Sequence, residues 1–297
     1  MKKINAILLM TLLGVVTFTG CKDDDETPTA ATTKNLTIDL SGLEDLGPDF
    51  RYEGWIIVDG TPISAGLFTV DSEGNASQTS FSLPIADLDL ATKYVLTIEP
   101  NPDSDPTPSK VHILAGDFSG TNATLSIGDG AALGTDFVSA AGTFILATPT
   151  DDNDDMNEES GVWFLDPDAG PAAGLNLPVL PEGWAYEGWA VIDGTPISTG
   201  TFTSVSGNDA SSAFSGTFMA PPFPGEDFLI NAPDGLTFPT DLTSATIVIS
   251  VEPVPDNSAA PFLLKPLVTK LDNAATRTAL TLDNNITNTN PTGTVTR

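Results

Sequence analysis

Cysteine is almost missing from this 297-residue chain; Cys21 is the only one. No intrachain disulfide can form, so the folded parts must be held by apolar packing. Histidine is as scarce, with His112 alone. The usual zinc sets of cysteine and histidine cannot be assembled. A serine–histidine–aspartate arrangement would have to use His112, and no local signature surrounds it. His112 lies in the strand-like Lys110-Val111-His112-Ile113-Leu114 and is expected to be a half-buried structural residue. Positive charge is also short, with 11 Lys and Arg against 40 Asp and Glu and a formal charge of −29. Such a chain is not drawn to nucleic acid or anionic lipid by electrostatics. Neither a phosphate loop nor a dinucleotide fingerprint is present. No catalytic residue, enzyme activity or cofactor is expected.

The N-terminus carries an address. Lys2 and Lys3 form a basic head, Ile4 to Val16 is an apolar run, and Phe18-Thr19-Gly20-Cys21 follows. The run is shorter than the ~20 residues a spanning helix needs, and the pattern is that of a secretory signal peptide. Phe18-Thr19-Gly20-Cys21 resembles the lipobox of bacterial lipoproteins. The resemblance implies cleavage before Cys21, a diacylglycerol on its thiol and acylation (palmitate) of the new amine. Several acyl chains hold a membrane far better than the marginal binding of one. Lys22-Asp23-Asp24-Asp25-Glu26 resembles the acidic signal that sends lipoproteins to the outer face of the outer membrane. It is equally a solvated tether, since like charges repel and extend. Residues 1–20 are thus expected to be signal peptide and 21–34 an acidic tether.

Beyond the tether, apolar segments are short and bounded by Gly, Pro, Asn, Asp and Ser, with 26 glycines and 24 prolines in the chain. Many short strands separated by turn signals indicate an all-β sandwich or barrel. Within them lies a repeat. Residues 51–70, RYEGWIIVDGTPISAGLFTV, and 185–204, AYEGWAVIDGTPISTGTFTS, share 13 of 20 positions at an offset of 134. Residues 95–103, VLTIEPNPD, answer to 248–256, VISVEPVPD, at an offset of 153. The second copy therefore holds 19 further residues between the two matches, including Ala220-Pro221-Pro222-Phe223-Pro224-Gly225. Units of this size are duplicated domains, not solenoid repeats. Asp59-Gly60 predicts a type I′ hairpin turn, and Pro62 beside it predicts an edge strand. Alternation places Tyr52, Gly54, Ile56 and Val58 on one face and Trp55 and Ile57 on the other.

Tyr52, Trp55, Asp59-Gly60, Pro62, Ser64-Ala65-Gly66, Phe68-Thr69 and Glu99-Pro100 resemble the extracytoplasmic C-terminal domain of anti-sigma-K factors. In the second copy, Tyr186, Trp189, Asp193-Gly194, Pro196, Ser198, Gly200, Phe202-Thr203 and Glu252-Pro253 carry the same resemblance. It implies the fold of the outer domain. Only Met1 to Lys3 precede the apolar run, so a sigma-gripping segment, and direct sigma-factor binding, are not expected.

Cys21 is the expected lipid attachment. The segment Asp151-Asp152-Asn153-Asp154-Asp155-Met156-Asn157-Glu158-Glu159 suits a hard cation such as calcium. It lacks the glycine and terminal glutamate of the helix-loop-helix site, so Asp151, Asp152, Asp154 and Asp155 are weak ligands in what is otherwise a solvated loop. Trp55 and Trp189 are expected in the core, Trp163 and Trp184 in exposed positions suited to a glycan. The expected architecture is two tandem immunoglobulin-like β-sandwich domains, 35–130 and 141–297, with a loose tail from Asp283 to Arg297. The expected role is a non-catalytic lipoprotein of the cell envelope, anchored in the outer membrane and facing the cell surface, that binds an unknown protein or glycan. The alternative is an extracytoplasmic regulatory component acting through a partner.

Overall fold

Asp59 and Gly60 both take positive φ, 48° and 78°, as a type I′ turn requires. Asp193 and Gly194 repeat this in the second copy, at 50° and 85°. The computed structural model describes residues 31–151, 156–168, 170–256, 258–287 and 289–297. The signal peptide, Cys21 and nearly all of the tether lie outside the described residues, as do Asp152, Asp154 and Asp155.

The first half contributes β1 (Thr33–Ser41), β2 (Phe50–Val58), β3 (Thr61–Phe68), β4 (Ser80–Pro84), β5 (Lys93–Pro100), β6 (His112–Ser119) and β7 (Asn122–Ser126). One short helix, α1 (Ile85–Leu90), follows β4. The second half adds β8 (Ala141–Leu146), β9 (Gly161–Trp163), β10 (Leu165–Asp166), β11 (Ala172–Ala173) and β12 (Leu175–Asn176). It continues with β13 (Trp184–Ile192), β14 (Thr195–Phe202), β15 (Gly225–Asp227), β16 (Thr246–Pro253), β17 (Leu267–Lys270), β18 (Leu280–Leu282) and β19 (Thr292–Thr296). The fold is all-β and sandwich-like.

An eight-stranded sheet runs β3-β2-β5-β6-β7-β19-β1-β4. Its two ends approach each other. Gly66 of β3, at φ 134°, lies so close to Phe81 of β4 that a Cβ there would fall 2.4 Å from the ring. The sheet is nearly a closed barrel. The second copy of the hairpin forms the sheet β14-β13-β16-β17, and beside it lies β12-β8-β9-β15, with β18 also on β8. Both hairpins shift register at the same place, Gly54/Trp55 and Gly188/Trp189. Pro62 lies on the edge strand β3, where its missing N–H costs no ladder bond.

The faces of β2 fall as alternation requires. Tyr52, Ile56 and Val58 enter the main core, while Trp55 packs on the other side with Val95, Ala115, Ala132 and Ile57. The main core is continuous through both halves, holding Ile98, Leu114 and Phe137 together with Tyr186, Ile249 and Phe262. Residues 32–297 cluster as one compact unit. Boundaries at 35–130 and 141–297 assign β19 to the second domain. In the structure β19 pairs with β1 and β7 of the first half.

That pairing corrects the expectation of a loose tail. Thr-Gly-Thr-Val-Thr is poor in apolar residues, but its single valine, Val295, is fully buried. Gly293 meets Leu40 and the Asp39 carbonyl at distances that leave no room for a side chain. Arg297 donates to the carbonyls of Leu88 and Ala91 and lies over the Phe118 ring. Trp163 and Trp184 are a second correction. They are only 2% and 3% exposed. Trp184 tilts against Phe262, and the Trp163 indole donates to Asp227, so neither offers a platform to a glycan.

Candidate functional site

Charged side chains do not belong inside apolar strands unless something holds them. Both copies break that rule at the same positions. In the first, β2 sets Arg51, Glu53 and Trp55 on one face, and β5 sets Glu99, Thr97 and Val95 opposite them. In the second, β13 sets Ala185, Glu187 and Trp189 opposite Glu252, Ser250 and Val248 of β16. All four glutamates are buried.

A shared relay holds them. The Trp55 indole donates to Thr97 Oγ1 at 2.9 Å, and the Thr97 hydroxyl donates to Glu99 Oε1. The Trp189 indole donates to Ser250 Oγ at 2.8 Å, and that hydroxyl donates to Glu252 Oε1. A backbone N–H adds a second bond to each carboxylate, from Ser109 to Glu99 and from Phe262 to Glu252, both at 2.9 Å. On the neighbouring strand the Ser64 hydroxyl donates to Glu53 Oε1, and the Ser198 hydroxyl to Glu187 Oε1.

The copies part at the remaining oxygens. In the first, the Ser109 N–H also reaches Glu99 Oε2 at 3.2 Å. Burial pushes the Glu53 pKa up; the Ser64 hydroxyl opposes it most, and the Arg51 guanidinium, which donates to Asn101 Oδ1, opposes it less. In the second, Ala185 stands in place of Arg51 and Val254 in place of Asn101. Glu187 Oε2 and Glu252 Oε2 are buried and have no hydrogen-bond partner among the described residues. Burial pushes Glu187 up to about 7 and Glu252 up to about 8, against the downward pull of their serine donors. Exposed Asp256 completes a group. One carboxylate oxygen from each of Glu187, Glu252 and Asp256 lies within 4.8 Å of the others.

Asp256 also lines a cavity of about 380 Å³ with Glu44, Asp49, Phe50, Ile98 and Phe262. Burial pushes Glu44 there up to about 7, and pushes nearby Lys265 down. The cavity opens this side of the group to solvent.

A second buried acidic cluster behaves differently. Asp227 accepts from the Thr150 N–H at 2.8 Å and from the Trp163 indole at 2.6 Å. Glu226 accepts from Ser215 and Ser211, and Asp209 from the N–H groups of Gly225 and Ser211. Each of these carboxylate oxygens has a donor. The cluster ties β15 to β9 and to the loop after β8, and its chemistry is structural.

Of the residues marked in the sequence, Cys21, Asp152, Asp154 and Asp155 lie outside the described residues. Asp151 accepts from the Thr148 hydroxyl at 3.2 Å and lines a small hollow with Glu158 and Arg277, which form an ion pair. His112 Nδ1 is bound to the Ala131 carbonyl at 2.8 Å, in the half-buried place expected of it. Glu187 and Asp256 are not among the residues marked in the sequence, and Glu252 stands there only as part of a Glu-Pro motif. The signal was present. Tyr-Glu-Gly-Trp and Glu-Pro each put a carboxylate into an otherwise apolar strand, twice.

No curated protein and no solved structure matches the chain. A protein-family model does, over the segment that holds the first copy from Arg51 to Ser109: residues 27–111 are similar to the anti-sigma-K factor rskA, C-terminal.

Proposed function

We propose that this is a non-catalytic, lipid-anchored protein of the cell envelope that acts by binding, through two copies of the outer-domain hairpin of anti-sigma-K factors. The observation that carries the reading is the family match over residues 27–111, joined to a second copy of its motif at 185–204 and 248–256. The lipobox-like Phe18-Thr19-Gly20-Cys21 supports the anchor, and the acidic run after it supports the cell surface.

Regulation is the second reading, and the same family match favours it. On that reading the protein modulates a signalling partner on the outer side of the membrane, with no direct grip on a sigma factor. Two experiments separate the claims. Cys21→Ala should abolish labelling by palmitate and release the protein from membranes; unchanged labelling and fractionation would refute the anchor. Deletion of the gene should alter sigma-dependent transcripts if the role is regulatory and leave them unchanged if it is an envelope role alone. The mature protein should show no saturable binding to sigma factors at physiological salt, where unspecific charge attraction fades.

A further inference from the structure

Three carboxylates converge in the second copy, and two of them have an oxygen that no donor among the described residues satisfies. Glu187 and Glu252 are 5% and 1% exposed, and the Oε2 atom of each has no hydrogen-bond partner among the described residues. A buried carboxylate oxygen left this way costs more than an ordinary missing bond. The companion cluster at Asp209, Glu226 and Asp227 shows that the fold can supply donors to every such oxygen where the role is structural. In the first copy the Ser109 N–H reaches both oxygens of Glu99. The second copy has neither.

We propose that Glu187, Glu252 and Asp256 form a calcium site. Their oxygens lie within 4.8 Å of one another. Oxygens this close can share one ion, since two ligands of a calcium ion, each about 2.3–2.6 Å from it, stand no more than about 5 Å apart. Carboxylate oxygens are hard donors, as calcium prefers. The serine hydroxyls of Ser198 and Ser250 and the Phe262 N–H fix the Oε1 atoms, which leaves the Oε2 atoms to turn to a cation. Exposed Asp256 lets the ion in from solvent, beside the cavity it lines. The charged groups facing the pair are Asp209 and Asp256, with Lys265 the one cation whose charge reaches Glu252. Among the described residues Lys265 forms no ion pair with either glutamate, so it competes for the carboxylates without satisfying them. This inference does not depend on the anchor or on the regulatory reading.

Terbium, which substitutes for calcium and luminesces when a nearby indole is excited, is the probe. Trp189 is bonded to the Ser250 hydroxyl that holds Glu252. The full chain should give saturable terbium luminescence that calcium displaces, and calcium should raise its melting temperature. Glu252→Gln and Asp256→Asn should each weaken calcium by about tenfold or more, at least the effect of losing a supporting group. Asp256→Asn is at the exposed rim, so its loss of binding cannot be a failure to fold. Lys265→Met should bind calcium no more weakly than the parent. A parent chain with no calcium-dependent melting shift, or a shift that survives both Glu252→Gln and Asp256→Asn, would overturn the site.

Discussion

Arg51 lies across from Glu99 in the first copy, and in the second Ala185 lies across from Glu252. Around this exchange almost everything is kept. The hairpin turn, the register shift before the tryptophan, the indole-to-hydroxyl-to-glutamate relay and the backbone N–H to the same glutamate recur at matching positions. The relay is the part that holds the strands together, since each member satisfies the next inside a low-dielectric interior. What differs is the cover of the remaining oxygens. The first copy brings the Ser109 N–H to both oxygens of Glu99, and the second leaves Oε2 of Glu187 and of Glu252 without a donor among the described residues. A duplicated frame can thus keep its structural bonds while one copy is left open to a ligand.

The comparison breaks most readily at the tryptophans. Trp55→Ala and Trp189→Ala should each cost roughly 3–5 kcal/mol, the usual range for a large buried aromatic. Because one core runs through both halves, urea unfolding should remain a single transition in each variant. Two separated transitions, each sensitive to only one of the substitutions, would show the copies to be independent domains.

A smaller effect should follow the counter-charge. Arg51→Ala makes the first copy resemble the second at this position, removing the guanidinium whose charge reaches Glu53 and which donates to Asn101 Oδ1. The expected loss is about 1–3 kcal/mol at pH 8, the cost of a buried polar group left unsatisfied. It should shrink at pH 5, since burial raises the Glu53 pKa and protonation removes the charge that Arg51 faces. Equal losses at both pH values would mean that Arg51 acts by packing alone.

The smallest change should come from Glu252→Gln without calcium. Burial raises the Glu252 pKa from the ordinary 4.5 to about 8. The folded chain therefore holds a proton that the unfolded chain has lost. Stability linked to this group is fully present below pH 4.5 and is lost as pH rises toward 8. Glu44, Glu187, Asp209 and Asp227 are raised by burial in the same direction. The calcium-free protein should melt higher at pH 5 than at pH 8, and Glu252→Gln should flatten part of that slope. A melting temperature that rises from pH 5 to pH 8 without calcium would contradict the burial of these groups.

Much of the local structure was legible in the sequence. Asp59-Gly60 and Asp193-Gly194 announced two hairpins, and alternation around Trp55 separated the two faces of β2. These features are short-range, and two residues of turn chemistry decide the register. The pairing of β19 was not legible, because Val295 finds Ile38 and Ala123 across most of the chain and its threonine neighbours carry no apolar pattern. Trp163 and Trp184 sit outside the repeated hairpin face, so nothing nearby showed that Asp227 and Phe262 would cover them. The candidate site was half legible. Glu252 stood in a recognised motif, but its meeting with Glu187 and Asp256 depends on the pairing of β13 with β16 and on the turn after β16.

The most direct test is a carbon-13 NMR titration of the glutamate side-chain carboxyls, with and without calcium. The account predicts that Glu187 and Glu252 titrate together near 7 and 8 in the calcium-free protein. With calcium bound, both should stay ionised well below that range, and binding near pH 7 should release protons. Two glutamates that titrate near the ordinary 4.5 and ignore calcium would contradict it.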